Sequence, residues 1–140
     1  MPNLLPPKDK LRICFAHAAY KLAERFEARG LGIASTEVRT FDDLKARIGD
    51  ADVVVVSMLW RNELLEAAPD LEYLQSISAG TDQYDKALFK SKGVRLASGA
   101  GVNAPAVAQH AIGMILALAR LIHTSRDDQA ARRWRGMTAD

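Results

Sequence analysis

The segment Ser78-Ala79-Gly80-Thr81-Asp82 has the residue types of an anion cradle. Ala79 and Gly80 carry almost no side chain, so an anionic group can come up against the backbone, and glycine at position 80 permits a positive φ. Successive N–H groups in such a turn form a concave site for a carboxylate or phosphate. Each amide bond to a charged acceptor contributes roughly 1.5–3 kcal/mol. A plain strand-to-helix turn has the same composition, so the segment alone leaves both readings open. Asp82 is expected to brace the turn, its carboxylate accepting local amides rather than meeting a ligand.

A second segment, Gly99-Ala100-Gly101-Val102-Asn103-Ala104, matches G-x-G-x-x-G/A, the phosphate turn of dinucleotide-binding folds. That turn belongs to a βαβ unit whose second strand ends in an acidic residue about 20 positions on. Here a long apolar run follows, then Asp127 and Asp128, with no second strand, so the match is set aside. The three histidines, His17, His110 and His123, form no pair at metal-ligand spacing. Cys14 stands alone in a short apolar run and reads as a small buried residue. No serine or cysteine lies in a nucleophile-elbow pattern. No catalytic residue and no metal site are therefore predicted.

These candidates are placed by an alternation of short apolar runs and helical periods. Leu11 to Ala16, Ala34 to Arg39, Val53 to Val56, Leu71 to Ile77 and Val94 to Ala97 read as five strands. Val53-Val54-Val55-Val56 shows no alternation, which means burial on both faces, as in a parallel sheet. Helices are expected over Ala18 to Arg29, from Thr40 to Ile48, from Arg61 or Asn62 to Ala68, and over Lys86 to Lys92. Thr40 and Asp85 supply N-caps, and Gly30, Gly49 and Gly93 supply stops. The result is a doubly wound α/β unit, in which ligands sit beyond the carboxyl ends of the strands. The loops after Ala16, Val56, Ile77 and Ala97 are the ones to inspect. A phosphoacceptor receiver domain needs acidic residues after the first strand and an Asp ending the third; Ala16-His17 and Ser57 stand there instead. An FMN-binding phosphate loop needs serines and threonines where Ala16-His17-Ala18-Ala19 stands.

After residue 100 the character changes. Ala106 to Ile122 is expected to form one long helix, apolar nearly all round, which something must cover. Leu96 to Ala119 carries no formal charge, but its Ser98, Asn103, Pro105, Gln109 and His110 argue for a buried or interface helix over a membrane span. The arginines from Arg126 to Arg135 read as a solvated helix end.

Composition narrows the classes. The 140 residues are 49% hydrophobic and 26% charged, which excludes a disordered or fibrous protein. Nineteen basic against 17 acidic residues leave a net charge of +2, too even for a general nucleic-acid binder. At 6% aromatics there is no stacking platform for bases. A lone thiol and an N-terminus without an export pattern make the cytoplasm the expected compartment.

Two blocks carry a family resemblance. Leu64-Leu65-Glu66-Ala67-Ala68-Pro69-Asp70-Leu71 leads into Ser78-Ala79-Gly80-Thr81-Asp82-Gln83-Tyr84-Asp85, and Asn103-Ala104-Pro105-Ala106-Val107-Ala108-Gln109-His110 leads through a helix to Leu116-Ala117-Leu118-Ala119-Arg120. In this order and spacing the protein resembles the D-isomer-specific 2-hydroxyacid dehydrogenases. The resemblance implies a flavodoxin-like parallel sheet of about five strands with flanking helices, followed by a long apolar helix. Residues 1–100 would be the N-terminal part of a substrate-binding domain. Residues 101–140 would be the hinge and first helix of a cofactor-binding domain. It implies hydride transfer between NAD or NADP and a small 2-hydroxy or 2-oxo acid. Substrate contacts would fall at Ala79, Gly80 and Asn103, and a nicotinamide contact at Val107. A homodimer through Ala106 to Ile122, without nucleic acid or membrane, is expected. The family's glycine-rich fingerprint, catalytic arginine, acid partner and general-acid histidine match nothing here, and Gln109 stands where a glutamate is usual. An N-terminal fragment of such an oxidoreductase, inactive alone, is the expected identity. The alternative is a non-catalytic α/β binding or assembly module derived from the family.

Overall fold

The computed structural model describes residues 5–136. It divides into two compact units between Ala100 and Gly101. The first unit runs β1 (Arg12–Ala16), α1 (Leu22–Glu27), β2 (Ala34–Val38), α2 (Phe41–Arg47), β3 (Val53–Val56), β4 (Tyr73–Ser76), α3 (Lys86–Ser91) and β5 (Arg95–Ala97). Single 3₁₀ turns at Ile48–Asp50 and Asn62–Glu66 precede β3 and β4. All strand pairs are parallel, in the order β2-β1-β3-β4-β5. This is the flavodoxin-like order, with its switch point between β1 and β3. The α/β fold with a five-stranded parallel sheet is the one expected.

Both faces of β3 are covered, which is why its four valines do not alternate with polar residues. Val54 and Val56 join Leu44 of α2, Leu64 and Leu65 of the second 3₁₀ turn, and Phe89 of α3 in the larger core. Val53 and Val55 face the other way, with Phe15 of β1 and Ala23 and Phe26 of α1. Phe15 and Phe26 pack with ring centroids 5.2 Å apart. Cys14 is buried at mid-strand, where loss of hydration pushes its thiol up from the ordinary value. Both expected caps form: the Thr40 hydroxyl accepts from Asp43 N–H at 3.1 Å, and Asp85 accepts from Leu88 N–H at 3.0 Å.

Three elements depart from the sequence-based expectation. The first helix begins at Leu22 rather than Ala18, because His17 Nδ1 accepts the amides of Ala19 and Tyr20 and holds those residues in a turn. The segment before Pro69 is a 3₁₀ turn, too short to close α-helical bonds, that still buries Leu64 and Leu65. In the second unit, the one long helix expected over Ala106 to Ile122 is instead two: α4 (Ala104–Ala119) and α5 (Ile122–Ala130), bent by 62° at the break. Leu121 stands in the left-handed region, φ 51°, and donates its N–H to the Leu118 carbonyl in place of a helical bond. Among the described residues no single helix is long and apolar enough to cross a membrane.

The second unit closes on Asp128. Its buried carboxylate accepts from Arg133 Nε at 2.7 Å and pairs with Arg135 Nε at 2.5 Å. Arg135, then Arg133, hold that carboxyl below the usual range. Within this unit α4 buries no residue, and Ile112, Ile115 and Leu118 are exposed.

At the amino edge of the sheet, Asp52 accepts from the Arg12 backbone N–H at 2.7 Å and from its guanidinium at 2.9 Å, while Arg12 also reaches Asp70 at 3.2 Å. The Arg12 guanidinium holds the Asp52 carboxyl below its ordinary value, against the cost of its burial. The stabilisation is complete above the unfolded carboxyl's titration near pH ~3.9 and is lost as pH falls through the lower folded value. Asp52→Asn is expected to cost about 1–3 kcal/mol at neutral pH and to flatten the acid limb of stability, read by urea unfolding from pH 7 downward. An unchanged acid limb would show that the pair carries none of it.

Candidate functional site

Parallel pairing delivers the ends of β1, β3, β4 and β5 to one edge. Four kinds of group meet there: His17 after β1, Ser57 and Met58 after β3, Ser78 to Asp82 after β4, and Ser98 and Gly99 after β5.

Ser78 is committed on every polar atom. Its N–H donates to Ser76 Oγ at 3.2 Å, its carbonyl accepts from Gly99 N–H at 3.0 Å, and its hydroxyl lies 2.6 Å from Ser57 Oγ. The next three residues are the opposite. Among the described residues, the N–H groups of Ala79, Gly80 and Thr81 donate to nothing. Ala79 and Gly80 are exposed, and the turn is closed behind them by Tyr84 N–H donating to the Thr81 carbonyl at 3.2 Å. Three unpaired donors in succession, on a loop anchored at both ends, can take a carboxylate or phosphate oxygen pair.

Two details of the expected cradle are corrected. Gly80 does not use a positive φ. What matters there is space, since a Cβ would meet nothing nearer than Asp82 Oδ2 at 3.9 Å. Glycine leaves open the volume through which an anion would approach. Asp82, for its part, makes no hydrogen bond or ion pair among the described residues, so it does not brace the turn through local amides. Its exposed carboxylate stands beside Gly80 as an uncompensated negative charge. Thr81 also borders an open cleft of about 510 Å³ between α3 and β5, where Lys86 and Lys90 supply positive charge.

The two glycines of the G-x-G match serve packing and turning. A Cβ on Gly99 would lie 2.8 Å from the Ile77 carbonyl oxygen, so glycine there lets the loop after β5 lie against the loop after β4. Gly101 occupies φ 84° in the turn before α4.

His17 is buried to 6% exposure and stacks on Tyr20, rings 4.2 Å apart. Because its Nδ1 accepts two amides, the neutral ring carries its proton on Nε2. Asn103 and Val107 belong to the second unit. At the start of α4 the Asn103 backbone carbonyl accepts from Val107 N–H at 3.0 Å, and the Asn103 amide group makes no cap bond. Val107 is exposed on the first turns of α4. His110 lies in α4 and His123 in α5, and no cluster of metal-ligating side chains occurs among the described residues.

Residues 15–140 match the family described as D-isomer specific 2-hydroxyacid dehydrogenase, catalytic domain. The chain belongs to that family. An erythronate-4-phosphate dehydrogenase of Pseudoalteromonas atlantica is 32% identical over 91 residues, covering 63% of this chain and 24% of the relative. A hydroxypyruvate reductase of Thermotoga maritima is 34% identical over 83 residues, covering 58% and 27%. The chain thus spans about a quarter of the length of the curated relatives it matches. Among solved structures, a 2-hydroxyacid dehydrogenase family protein of Aeromonas salmonicida superposes with a TM-score of 0.70 at 20% identity, covering 94% of this chain and 43% of that one. A glyoxylate/hydroxypyruvate reductase of Sinorhizobium meliloti, solved with NADP and malonate, gives 0.66 at 22% identity, covering 89% and 39%. At that identity these two structures bear on the fold.

In this dehydrogenase-family protein the sequence does not mark the hydroxyls of Ser57 and Ser76 or the packing role of Gly99. Gly99→Ala is expected to force the loops after β4 and β5 apart. The loss of stability should be about 1–3 kcal/mol, with shifted amide resonances from Ile77 to Gly80, while Gly101→Ala should leave those resonances in place. Both are read by denaturation and by two-dimensional NMR.

Proposed function

We propose that residues 1–100 form the N-terminal part of the substrate-binding domain of an NAD(P)-dependent D-2-hydroxyacid dehydrogenase, and residues 101–140 the hinge and first helix of its cofactor domain. The single observation that carries this is the run of three unpaired amides at Ala79, Gly80 and Thr81, on the carboxyl edge of β4, in a member of this family. A 2-hydroxy or 2-oxo acid presents a carboxylate that suits two such donors. The loop binds and orients that carboxylate, and the third donor remains for the oxygen on the neighbouring carbon. Asn103 is assigned to a further substrate contact and Val107 to the nicotinamide, both by resemblance.

A nicotinamide dinucleotide accepts or supplies the hydride in such a reaction. The described residues do not fit its pyrophosphate, because Gly99 is packed against Ile77 and no βαβ turn follows it. Among the described residues, no side chain is hydrogen-bonded to the amides of Ala79 to Thr81 as a partner for the reacting oxygen, and His17 spends its Nδ1 on the amides of Ala19 and Tyr20. The 140-residue protein alone is therefore expected to oxidise NADH with pyruvate or glyoxylate only at background. A rate well above background from protein free of host dehydrogenase would overturn this.

Carboxylate binding by the loop alone should be weak, about millimolar or roughly 4 kcal/mol. In an NMR titration with pyruvate, shifts are expected to cluster at Ala79, Gly80 and Thr81 and to vanish in Gly80→Val, whose added bulk fills the approach. Asp82→Asn should tighten binding about threefold, since a unit charge about 6 Å away in water opposes a carboxylate by about 0.7 kcal/mol. Shifts gathered at the Arg126 to Arg135 end, or unchanged by Gly80→Val, would make the loop an ordinary turn.

The apolar side chains of α4 support a second proposal, a homodimer through this helix. Ile112, Ile115 and Leu118 are each more than half exposed, and a contiguous apolar patch of this kind drives association. Light scattering should show a dimer or larger species, and Ile115→Glu or Leu118→Glu should weaken it. A monomer in the unsubstituted protein would count against the assembly.

A further inference from the structure

Resting on the reading of Ala79 to Thr81 as a carboxylate cradle, we propose that Ser57, from the loop after β3, is a positioning residue that holds the cradle open through its hydroxyl bond to Ser78. The loop after β4 has no helix of its own to stiffen it, since α3 begins only at Lys86. What fixes it is the hydrogen bonding of Ser78, the residue next to the three free amides. Three of those bonds come from β4 and the loop after β5: Ser76 Oγ accepts from the Ser78 N–H and donates to its carbonyl, and Gly99 N–H donates to that carbonyl. The fourth comes from the loop after β3, through Ser57 Oγ at 2.6 Å.

Ser57 is itself rigid. It is 5% exposed, and it directly follows Val56, which pairs in register with Ser76 of β4. Ile77 N–H donates to the Val56 carbonyl at 3.1 Å, which ties the two strand ends together just before the two serines meet. The Ser57 carbonyl accepts from Leu59 N–H, and Met58 between them takes φ 50°. A non-glycine residue in that conformation is strained, so the backbone turns sharply away immediately after delivering Ser57 to Ser78. The hydroxyl pair is a bond between two buried or half-buried groups and lies outside the exposed face of the cradle. Ser57 therefore acts on a ligand through Ser78, by fixing the direction in which the amides of Ala79 and Gly80 point.

The test is a double-mutant cycle on the 140-residue protein, with pyruvate as the ligand and amide hydrogen exchange of the free protein as a second readout. Ser57→Ala is expected to weaken pyruvate binding about threefold to tenfold, as for loss of one ordinary hydrogen bond, and to speed exchange at Ala79, Gly80 and Thr81. Exchange in β1 should not change. Ser78→Ala should do the same, and the double variant should be no worse than either single one, because all three lack the same bond. If Ser57→Ala does not fold, Ser78→Ala and Ser57→Thr, which keeps the hydroxyl, carry the comparison. Should the unsubstituted protein bind pyruvate at the cradle while both alanine variants bind it equally well with unchanged exchange, Ser57 has no positioning role. Additive losses in the double variant would equally overturn the proposal, while leaving the carboxylate site in place. If the unsubstituted protein binds no pyruvate, the carboxylate reading itself falls and this proposal falls with it.

Discussion

Parallel pairing is the constraint on which the rest of the first unit depends. Strands that run the same way need a crossover between each pair, so each returns over a face of the sheet before pairing. Two consequences follow together. Both faces of β3 are covered, which demands the apolar run Val53 to Val56. And every strand ends at one edge, so the loops after β1, β3, β4 and β5 are neighbours although up to about 80 residues separate them in sequence. At the opposite edge the residues that precede the strands gather in the same way, and Arg12, Asp52 and Asp70 pair there. The charged cluster and the candidate site thus lie at opposite ends of the strands.

Hydrogen-bond accounting separates scaffold from site at the binding edge. Polar groups withdrawn from water must find partners, and Ser78, Ser57 and Ser76 do so among themselves and with Gly99. The amides of Ala79 and Gly80 are exposed, so water can satisfy them. In the proposed function an anion would replace that water, and a loop with one end already bonded would lower the ordering cost of binding it. Charge here is mixed: the Asp82 carboxylate stands beside Gly80, while Lys86 and Lys90 line the cleft that Thr81 borders.

In the second unit the physical problem is coverage rather than pairing. The unit orders its end by charge, through Asp128 with Arg133 and Arg135, yet within the unit α4 buries none of its residues. Apolar area at that scale costs free energy in water unless something removes it. The break at Leu121 shortens the apolar helix and turns the polar α5 away from its axis.

Strand existence and order of elements were legible in the residues themselves. Val53 to Val56 can only be a strand buried on both faces, Thr40 and Asp85 announce their helices by capping chemistry, and Gly80 between small residues marks a loop that a ligand can approach. These are local signals, set by side-chain size, branching and hydrogen-bonding capacity within a few positions. The helix break at Leu121 carried no such signal, for neither glycine nor proline stands there. Nor did the turn at Ala18 to Tyr20, which His17 imposes by accepting from the amides of Ala19 and Tyr20 through Nδ1. The meeting of Ser57 with Ser78 was beyond sequence reading, because 21 positions separate them and only strand register brings their hydroxyls to 2.6 Å. The same holds for Gly99, whose missing side chain matters only once another loop lies against it. Sequence by itself determined which residues could form a binding loop; tertiary structure decided which hydroxyls and which glycine hold that loop in place, since those contacts exist only after the strands have paired.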